Sequence, residues 1–178
     1  VVLVARSADK LDAVARTIEN AGRKAVVVPA DLASAEAVAR LGEAVRAQAR
    51  VPDIIVNNAG AGRFASALET SNDEARAAIE VPYLAAFYVT RAFLPDMVAR
   101  RSGHIVSVTS PGSYLAWPNA CAYIAARHAL KGFTEALRTE VARHGIVVSL
   151  VVLGTVETPY WEHNPGSREN LPKGFAAM

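Results

Sequence analysis

The sequence predicts an α/β fold: a doubly wound parallel sheet that is truncated at its first strand. Short β-rich runs alternate with longer helical patterns, which is typical of a parallel sheet covered on both faces. The opening run Val1–Val4 is apolar without alternation, as a buried parallel strand should be. We expect the 178 residues to belong to a single domain. Because the sequence starts abruptly inside this run, we expect the domain to be incomplete at its N-terminus, and we expect it to be incomplete at its C-terminus as well.

Five strands are predicted, at Val1–Val4, Ala25–Val28, Asp53–Val56, His104–Val108 and Ile146–Val152. Ser7 and Ser34 stand where they could cap the first two helices, and Gly22 is placed to end the first. The apolar stripes of these helices are Leu11, Val14, Ala15 and Ile18, then Val38, Leu41 and Val45.

Two further helices follow the third and fourth strands. Ser71 and Glu74 predict a capping box for a long helix toward Arg100, with interruptions expected at Pro82 and Pro95. The last helix is expected from about Ala120 to Arg143. Its predicted buried residues are Ala126, Leu130, Phe133, Leu137 and Val141. Beyond Thr158 the pattern becomes a loop.

Composition indicates a soluble globular protein, with 52% hydrophobic and 20% charged residues. A net charge of +2 is too small for a nucleic-acid surface. An uncharged stretch of 18 apolar residues is absent, so no membrane-spanning helix is expected. The single cysteine, Cys121, excludes an internal disulfide framework and fits a reducing, cytoplasmic compartment; we expect it to be a small buried hydrophobe.

Small and polar residues follow the third strand as Asn57-Asn58-Ala59-Gly60. Open α/β sheets bind ligands at the carboxyl ends of their strands. Small residues there let a nucleotide lie close to the backbone, and the Asn side chains could tie neighbouring strands together. The alternative interpretation is an ordinary strand-to-loop turn.

Ser110 follows the fourth strand, Tyr123 lies near the start of the next helix, and Arg127 stands one helical turn beyond it. A hydroxyl, a phenol and a fixed cation around one point suit carbonyl polarisation and proton transfer. A phenol ordinarily titrates near pH 10, and a cation about 5 Å away stabilises the phenolate by roughly 3 kcal/mol at an effective dielectric constant of 20. The alternative is a simple helix-surface contact.

Together these features resemble the short-chain dehydrogenase/reductase family over essentially the whole chain, and its Rossmann-type fold. Asn57-Asn58-Ala59-Gly60 matches the family's N-N-A-G element, and Gly103 to Ser110 matches its serine-bearing strand. Tyr123 stands where the active-site tyrosine belongs. Gly154-Thr155-Val156-Glu157-Thr158 matches the segment that touches nicotinamide.

The resemblance implies an oxidoreductase that moves a hydride between NADP(H) and a carbonyl/alcohol substrate. It implies Tyr123 as general acid/base, Ser110 as the group that orients the carbonyl, and Arg127 as a charge that favours the phenolate and holds the nicotinamide ribose. The implied cofactor contacts are Arg6, Asp31, Leu32, Asn58, Ala59, Gly60, Tyr123, Arg127, Val156 and Thr158. Arg6 without a neighbouring acid favours a 2′-phosphate, hence NADP over NAD, unless Arg6 merely faces solvent.

Several positions depart from the family pattern. The glycine-rich turn for the pyrophosphate is expected in roughly 30 residues upstream of Val1. Arg127 stands where the family has a lysine, four residues after the active-site tyrosine, and arginine is not deprotonated in proteins. Pro82 replaces the asparagine of the long helix, and Leu153 replaces a proline.

These departures leave two alternatives to an active enzyme. One is a catalytically weak or inactive relative that binds nucleotide and acts as a sensor or partner subunit. The other is a truncated product that binds no nucleotide.

Two further expectations concern partners. Homo-oligomers, dimer or tetramer, are expected through the helix after Ser71 and the helix bearing Tyr123, where Ala85, Ala86, Ala126 and Ala129 would allow close helix approach. The substrate is a small molecule. Its pocket is expected to tolerate apolar or aromatic groups because the segment after Thr158 carries Tyr160, Trp161, Phe175 and Met178.

Overall fold

A computed structural model describes residues 1–174 and confirms the α/β class. The strands are β1 (Val2–Leu3), β2 (Val26–Val27), β3 (Ile54–Asn57), β4 (Gly103–Thr109) and β5 (Ile146–Val152). The α-helices are α1 (Ala8–Asn20), α2 (Ala35–Gln48), α3 (Asn72–Ile79), α4 (Ala85–Arg100), α5 (Cys121–Val141) and α6 (Tyr160–His163). A π-helical turn, Glu80–Leu84, joins α3 to α4.

The strands form two separate parallel sheets. β1 pairs with β2, and β4 lies between β3 and β5. Within residues 1–174, no strand bridges β1 and β3. The doubly wound order places one strand at that position. The two separate sheets are consistent with the predicted truncation of the sheet at its first strand.

Helix α2 and the residues around it hold the two sheets together. Leu41 and Val45 of α2 are buried in one cluster with Ile105 of β4. Val4, just after β1, and Leu32, just after β2, pack against the same cluster. The two pieces thus share a hydrophobic core although no strand pairing connects them.

Helices cover only one face of the three-stranded sheet. Ile55 and Ile105 point toward α4 and α5 and are buried, whereas Ile54 and Val56 are 58% and 59% exposed. Val147, on the same outer face of β5, is 56% exposed. The expectation of two covered faces is wrong for these strands because α1 packs on β2 and no described segment crosses this face.

The helix starts follow the predicted caps, with one difference. The Ser34 hydroxyl accepts from the Ala37 amide at 3.1 Å, and Ser71 and Glu74 form the capping box. Ser7 occupies the N-cap position of α1 without a side-chain hydrogen bond. Val14, expected inside, is 48% exposed because α1 rests on a sheet only two strands wide.

The two prolines of the long helix behave differently. Pro82 is buried within the π-helical turn, which marks the predicted interruption. Pro95 lies inside α4, which continues to Arg100, so an interruption there was wrongly expected. Phe93 and Met97 are buried on either side of Pro95, and this packing holds the helix across the missing amide donor.

The small residues expected at a subunit contact are used inside the chain. Ala85, Ala86 and Ala126 are 2%, 3% and 1% exposed, because they face neighbouring elements of the same chain. For these three residues the prediction of close approach between subunits is therefore wrong. For Ala129, which is half-buried, it stays a prediction. Aromatic rings occupy the outer surface instead: Phe87 is 39% exposed and packs edge-on against the half-buried Phe133.

The helical stretch Asn72–Arg100 is long and apolar enough to cross a membrane by length and composition, with a mean hydropathy of 1.2 in its 18-residue apolar window. It is interrupted by charged residues such as Arg91 and Asp96, so it is not the uncharged apolar run on which the sequence-based expectation depends. Phe93 and Met97 of the same stretch are buried in the core beside the sheet.

Candidate active site

The candidate site lies where the carboxyl ends of β3, β4 and β5 meet. Asn57 pairs with Ser107 and Thr109 pairs with Val152, so the three strands end at one edge. The predicted site residues Asn58 and Ser110 follow directly at this edge. The sheet register thus brings together positions that are distant in sequence.

Ser110 and Tyr123 converge around Gly112. The Ser110 hydroxyl accepts from the Gly112 amide at 3.1 Å as a short 3₁₀ turn begins, and α5 starts two residues before Tyr123. A Cβ atom built on Gly112 would lie 3.1 Å from Ser110 Oγ and 3.3 Å from Tyr123 Cε1. Both side chains therefore border the same small space, as the sequence predicts.

Arg127 lies over the face of the Tyr123 ring. Its Cζ atom is 4.8 Å from the ring centroid, in the range of cation–π contacts. Arg127 is only 9% exposed, and it forms no ion pair with any residue of the described range 1–174. Its Nε atom is buried without a hydrogen-bond partner there. The site thus holds a buried guanidinium cation whose Nε–H group donates no hydrogen bond within the described residues.

Two buried hydroxyls anchor the backbone beneath this cation. Ser113 Oγ donates to the Arg127 carbonyl oxygen at 3.1 Å. The same hydroxyl is 2.5 Å from Thr109 Oγ1 at the end of β4. No sequence motif singles out Thr109 or Ser113, although both lie within three residues of Ser110. Their bonds fix the turn of α5 that carries Arg127 against the strand edge.

The segment after β3 divides its roles among its residues. Asn57 is buried, and its Nδ2 atom donates to Thr90 Oγ1 on α4 at 3.3 Å. It therefore ties the strand to a helix, not to a neighbouring strand as expected. Asn58 and Gly60 are exposed, and Ala59 is half-buried.

Aromatic side chains surround Tyr123. The Phe64 ring lies 4.7 Å from the Tyr123 ring, and the Trp117 ring lies 6.4 Å from it. Phe64 is 4% exposed and contacts Trp117 edge-on at 5.6 Å. Sequence reasoning missed both residues. In the sequence, their only distinguishing feature is that Phe64 lies shortly after Asn57–Gly60 and Trp117 lies between Ser110 and Tyr123.

The segment after β5 folds over this aromatic group. The Tyr160 hydroxyl donates to the Gly62 carbonyl oxygen at 2.5 Å, and Ser167 Oγ accepts from the Phe64 amide at 2.8 Å. Burial raises the pKa of Tyr160 well above its usual value, so this phenol stays protonated. Trp161 contacts Phe64 edge-on at 6.4 Å. Two other residues expected at the pocket, Phe175 and Met178, lie outside the described residues.

A cavity of about 260 Å³ lies between the loop before α3, helix α3 and the segment around α6. It is lined by Gly62, Arg63, Thr70, Glu74, Ala77, Ala78, Ala122, His163 and Asn164. Arg63 Nε donates to Glu74 Oε1 at 2.7 Å, and this bond, with those from Ser71, lowers the pKa of Glu74 to about 2. The charged pair therefore persists throughout the neutral range.

The remaining predicted cofactor residues each follow a strand. Arg6, after β1, is exposed. Asp31, after β2, accepts from the Ala33 amide at 3.0 Å, and Leu32 is partly buried against the core. After β5, Val156 is 49% exposed, and Thr158 Oγ1 accepts from the Tyr160 amide at 3.4 Å.

Cys121 differs from its expectation. It is exposed at the first position of α5 instead of being buried as a small hydrophobe. Residues of the first helical turn need not face the core. Tyr123, two positions later, points inward in its place.

Comparison with known proteins identifies the protein family to which this fold and this candidate site belong. A family model described as short chain dehydrogenase matches residues 1–168. The chain belongs to the short-chain dehydrogenase/reductase family of oxidoreductases.

Individual relatives agree with this assignment. The chain is 36% identical over 168 residues to human dehydrogenase/reductase SDR family member 7, which covers 92% of this chain and 50% of that protein. Among solved structures, a metagenomic short-chain oxidoreductase in complex with NADP is 35% identical, with a TM-score of 0.82, covering 86% of this chain and 70% of that one.

A second solved structure is a gluconate 5-dehydrogenase from Burkholderia cenocepacia J2315 in complex with NADP and tartrate. It is 29% identical, with a TM-score of 0.85, covering 91% of this chain and 64% of that one. The chain spans about half the length of the human relative named above.

Proposed function

We propose that the protein containing this chain is an oxidoreductase that interconverts a carbonyl and an alcohol with NADP(H), using Tyr123 as general acid/base. The observation that carries this proposal is the convergence of Ser110 and Tyr123 on the space beside Gly112, with the Arg127 guanidinium 4.8 Å over the Tyr123 ring. Three different chemical groups therefore border one point at the carboxyl edge of the sheet.

The proton is assigned to Tyr123 because the neighbouring phenol is engaged elsewhere. Tyr160 donates to Gly62, and burial raises its pKa, so it remains a neutral donor. In the reducing direction, the Tyr123 O–H bond breaks and its proton goes to the substrate oxygen. In the oxidising direction, the phenolate accepts the proton of the alcohol.

Ser110 and Arg127 support that proton transfer. The Ser110 hydroxyl oxygen accepts from Gly112, which leaves its own hydrogen free to be donated to a substrate oxygen. Arg127 supplies a fixed positive charge that stabilises the phenolate. Because arginine is not deprotonated in proteins, Arg127 orients and stabilises but does not relay the proton.

The described residues fit a nicotinamide dinucleotide. The Arg127 guanidinium lies against the exposed Gly60, and sugar hydroxyls offer oxygen acceptors that match its donors. The residues that would hold the cofactor are Arg6 at the 2′-phosphate, Asp31 and Leu32 at the adenine, Asn58, Ala59 and Gly60 along its length, and Tyr123, Arg127, Val156 and Thr158 at the nicotinamide end. The bound cofactor supplies the hydride chemistry.

The surroundings of Tyr123 favour a small, apolar or aromatic carbonyl compound. The Phe64 and Trp117 rings pack against the tyrosine, and Trp161 packs edge-on against Phe64. The 260 Å³ cavity next to Gly62 adds a polar wall of Arg63 and Glu74. Their mutual ion pair leaves little net charge to attract an ionic substrate.

The test uses the full-length protein and follows NADPH oxidation with a panel of aliphatic and aromatic ketones and aldehydes. Tyr123→Phe should abolish turnover and leave NADPH binding, measured by fluorescence titration, nearly intact. Tyr88→Phe on α4 removes the same hydroxyl away from the site and serves as the matched control. Full activity in Tyr123→Phe would refute the proposed role.

A second candidate is a nucleotide-binding relative with little or no catalysis, acting as a sensor or partner subunit. Two observations favour it: the cation at the site is an arginine, and the buried turn before α4 carries Pro82, which offers no amide or side-chain hydrogen bond. This candidate predicts NADPH binding without turnover of any carbonyl compound in the same panel.

Self-association and a cytoplasmic location complete the proposal. The exposed ring of Phe87, next to Phe133 and Tyr83, supports a helix-mediated contact between copies. Light scattering on the full-length protein should then give a dimer or a tetramer, and a monomer at all concentrations would refute it. The free thiol of the exposed Cys121 is compatible with the reducing cytoplasm, and cell fractionation tests that location.

A further inference from the structure

Gly60 is a glycine for which the backbone gives no reason. Glycines at positive φ include Gly62 and Gly145, but not Gly60. An L-residue would therefore be tolerated by the backbone at position 60. What distinguishes position 60 is the space around its Cα atom.

That space is filled by the side chain of Arg127. A Cβ atom built on Gly60 would lie 2.9 Å from Nη2, 3.6 Å from Nη1 and 3.7 Å from Cζ of Arg127. The three nearest atoms thus all belong to the guanidinium group. A separation of 2.9 Å is closer than side-chain packing allows, so an added methyl group would displace the group.

The guanidinium has the Tyr123 ring on its other side. Its Cζ atom lies 4.8 Å from the ring centroid, and the residue is only 9% exposed. Ser113 fixes the Arg127 backbone through a 3.1 Å bond. The cation is consequently held at its base by Ser113 and bounded at its tip by Gly60 and Tyr123.

We propose that Gly60 is a positioning residue, whose missing side chain creates the slot that keeps the Arg127 guanidinium on the face of Tyr123. Gly60 acts through Arg127, a role separate from any contact of its own with the cofactor. A lysine at position 127 would not depend on this slot, because its compact ammonium group lacks the planar guanidinium that lies against Gly60. For its kinetic readout this inference rests on the proposed function.

The test is a double-mutant cycle in the full-length protein. Gly60→Ala should lower kcat, by up to the roughly 100-fold expected for complete loss of the Arg127 charge, because the displaced guanidinium no longer lies over the Tyr123 ring. In an Arg127→Lys background, the same Gly60→Ala change should alter kcat less than about twofold, because the fork it displaces is no longer present. The melting temperature should change by only a few degrees, since the clash is with a side-chain tip.

Gly132→Ala is the matched control. Gly132 lies in α5 with Arg127, and an added Cβ there would meet nothing within 4 Å, so kcat should stay unchanged. Equal effects of Gly60→Ala in the arginine and lysine backgrounds would overturn the proposal. An unchanged kcat in Gly60→Ala would overturn it as well.

A crystal structure of Gly60→Ala separates this inference from the proposed function. The guanidinium should be displaced from the Tyr123 ring whether or not the wild-type protein turns over a carbonyl compound. If Arg127 kept its 4.8 Å contact in that variant, the positioning role would be refuted even in an active enzyme. If the wild-type protein were inactive but the guanidinium were displaced in the Gly60→Ala variant, only the proposed reaction would be refuted.

Discussion

Removing the charge of Arg127 should slow catalysis by about two orders of magnitude. Arg127→Met keeps an unbranched side chain and deletes the cation that lies 4.8 Å over the Tyr123 ring. A unit charge about 5 Å from an opposite charge contributes roughly 3 kcal/mol at an effective dielectric constant of 20. Because every 1.36 kcal/mol is tenfold in rate, kcat should fall about 100-fold.

Arg127→Lys distinguishes the charge from the shape of the group. Lysine retains the cation, so kcat at neutral pH should stay within a few-fold of the wild-type value. Steady-state NADPH oxidation by full-length protein measures both variants, with fluorescence titration reporting cofactor affinity. Arg16→Met, an exposed arginine on α1, controls for loss of a surface charge.

Three outcomes would refute this reasoning. A fully active Arg127→Met would show that the cation contributes nothing to the rate. A collapse in Arg127→Lys as deep as that in Arg127→Met would show that the planar donors, not the charge, are needed. An acceleration in Arg127→Lys would show that a missing proton relay limits the native reaction.

Three other perturbations follow from the structure. Arg6→Asp should shift preference from NADPH toward NADH, because a carboxylate repels a 2′-phosphate; tighter NADH binding by the unaltered protein would contradict the Arg6 assignment. Glu74→Gln should lower the melting temperature, and the difference from the wild-type protein should be largest above pH 4.5. The difference should vanish as the pH falls toward 2, the lowered pKa of Glu74, because the native carboxylate then becomes neutral. A difference in melting temperature that does not depend on pH would exclude the Glu74 charge as its cause. Residues 1–178 expressed alone should aggregate and bind no NADPH, because β1 and β3 face an unfilled gap and buried unpaired backbone groups cost about 1–3 kcal/mol each; cooperative unfolding with NADPH binding would contradict this.

Local signals in the sequence were sufficient for the element order and for the ends of β5. The caps at Ser34 and Ser71 depend on bonds within three residues, so they can be read directly. Tyr123 and Arg127 are one helical turn apart, and their contact follows from helix geometry alone. Interactions of short range were therefore predictable.

Long-range packing was not predictable in this way. The fork of Arg127 meets Gly60 across 67 positions of the sequence, and no pattern around either residue announces that contact. Ala85 and Ala126 read equally well as subunit contacts or as internal ones until the fold showed which side each faces. The bare face bearing Ile54 and Val56 was also missed, since an apolar strand does not reveal whether a helix covers it.

The segment around α6 has a kinetic consequence. It is fastened to the loop before α3 by Tyr160 on Gly62 and by Ser167 and Asn170 on Phe64, with Tyr123 only 7% exposed beneath it. In the proposed reaction, access to the tyrosine should increase when those bonds open, and loop openings of this kind occur on microsecond to millisecond timescales. Exchange of substrate and product would then depend on how often a few hydrogen bonds break, as an event separate from the proton transfer itself.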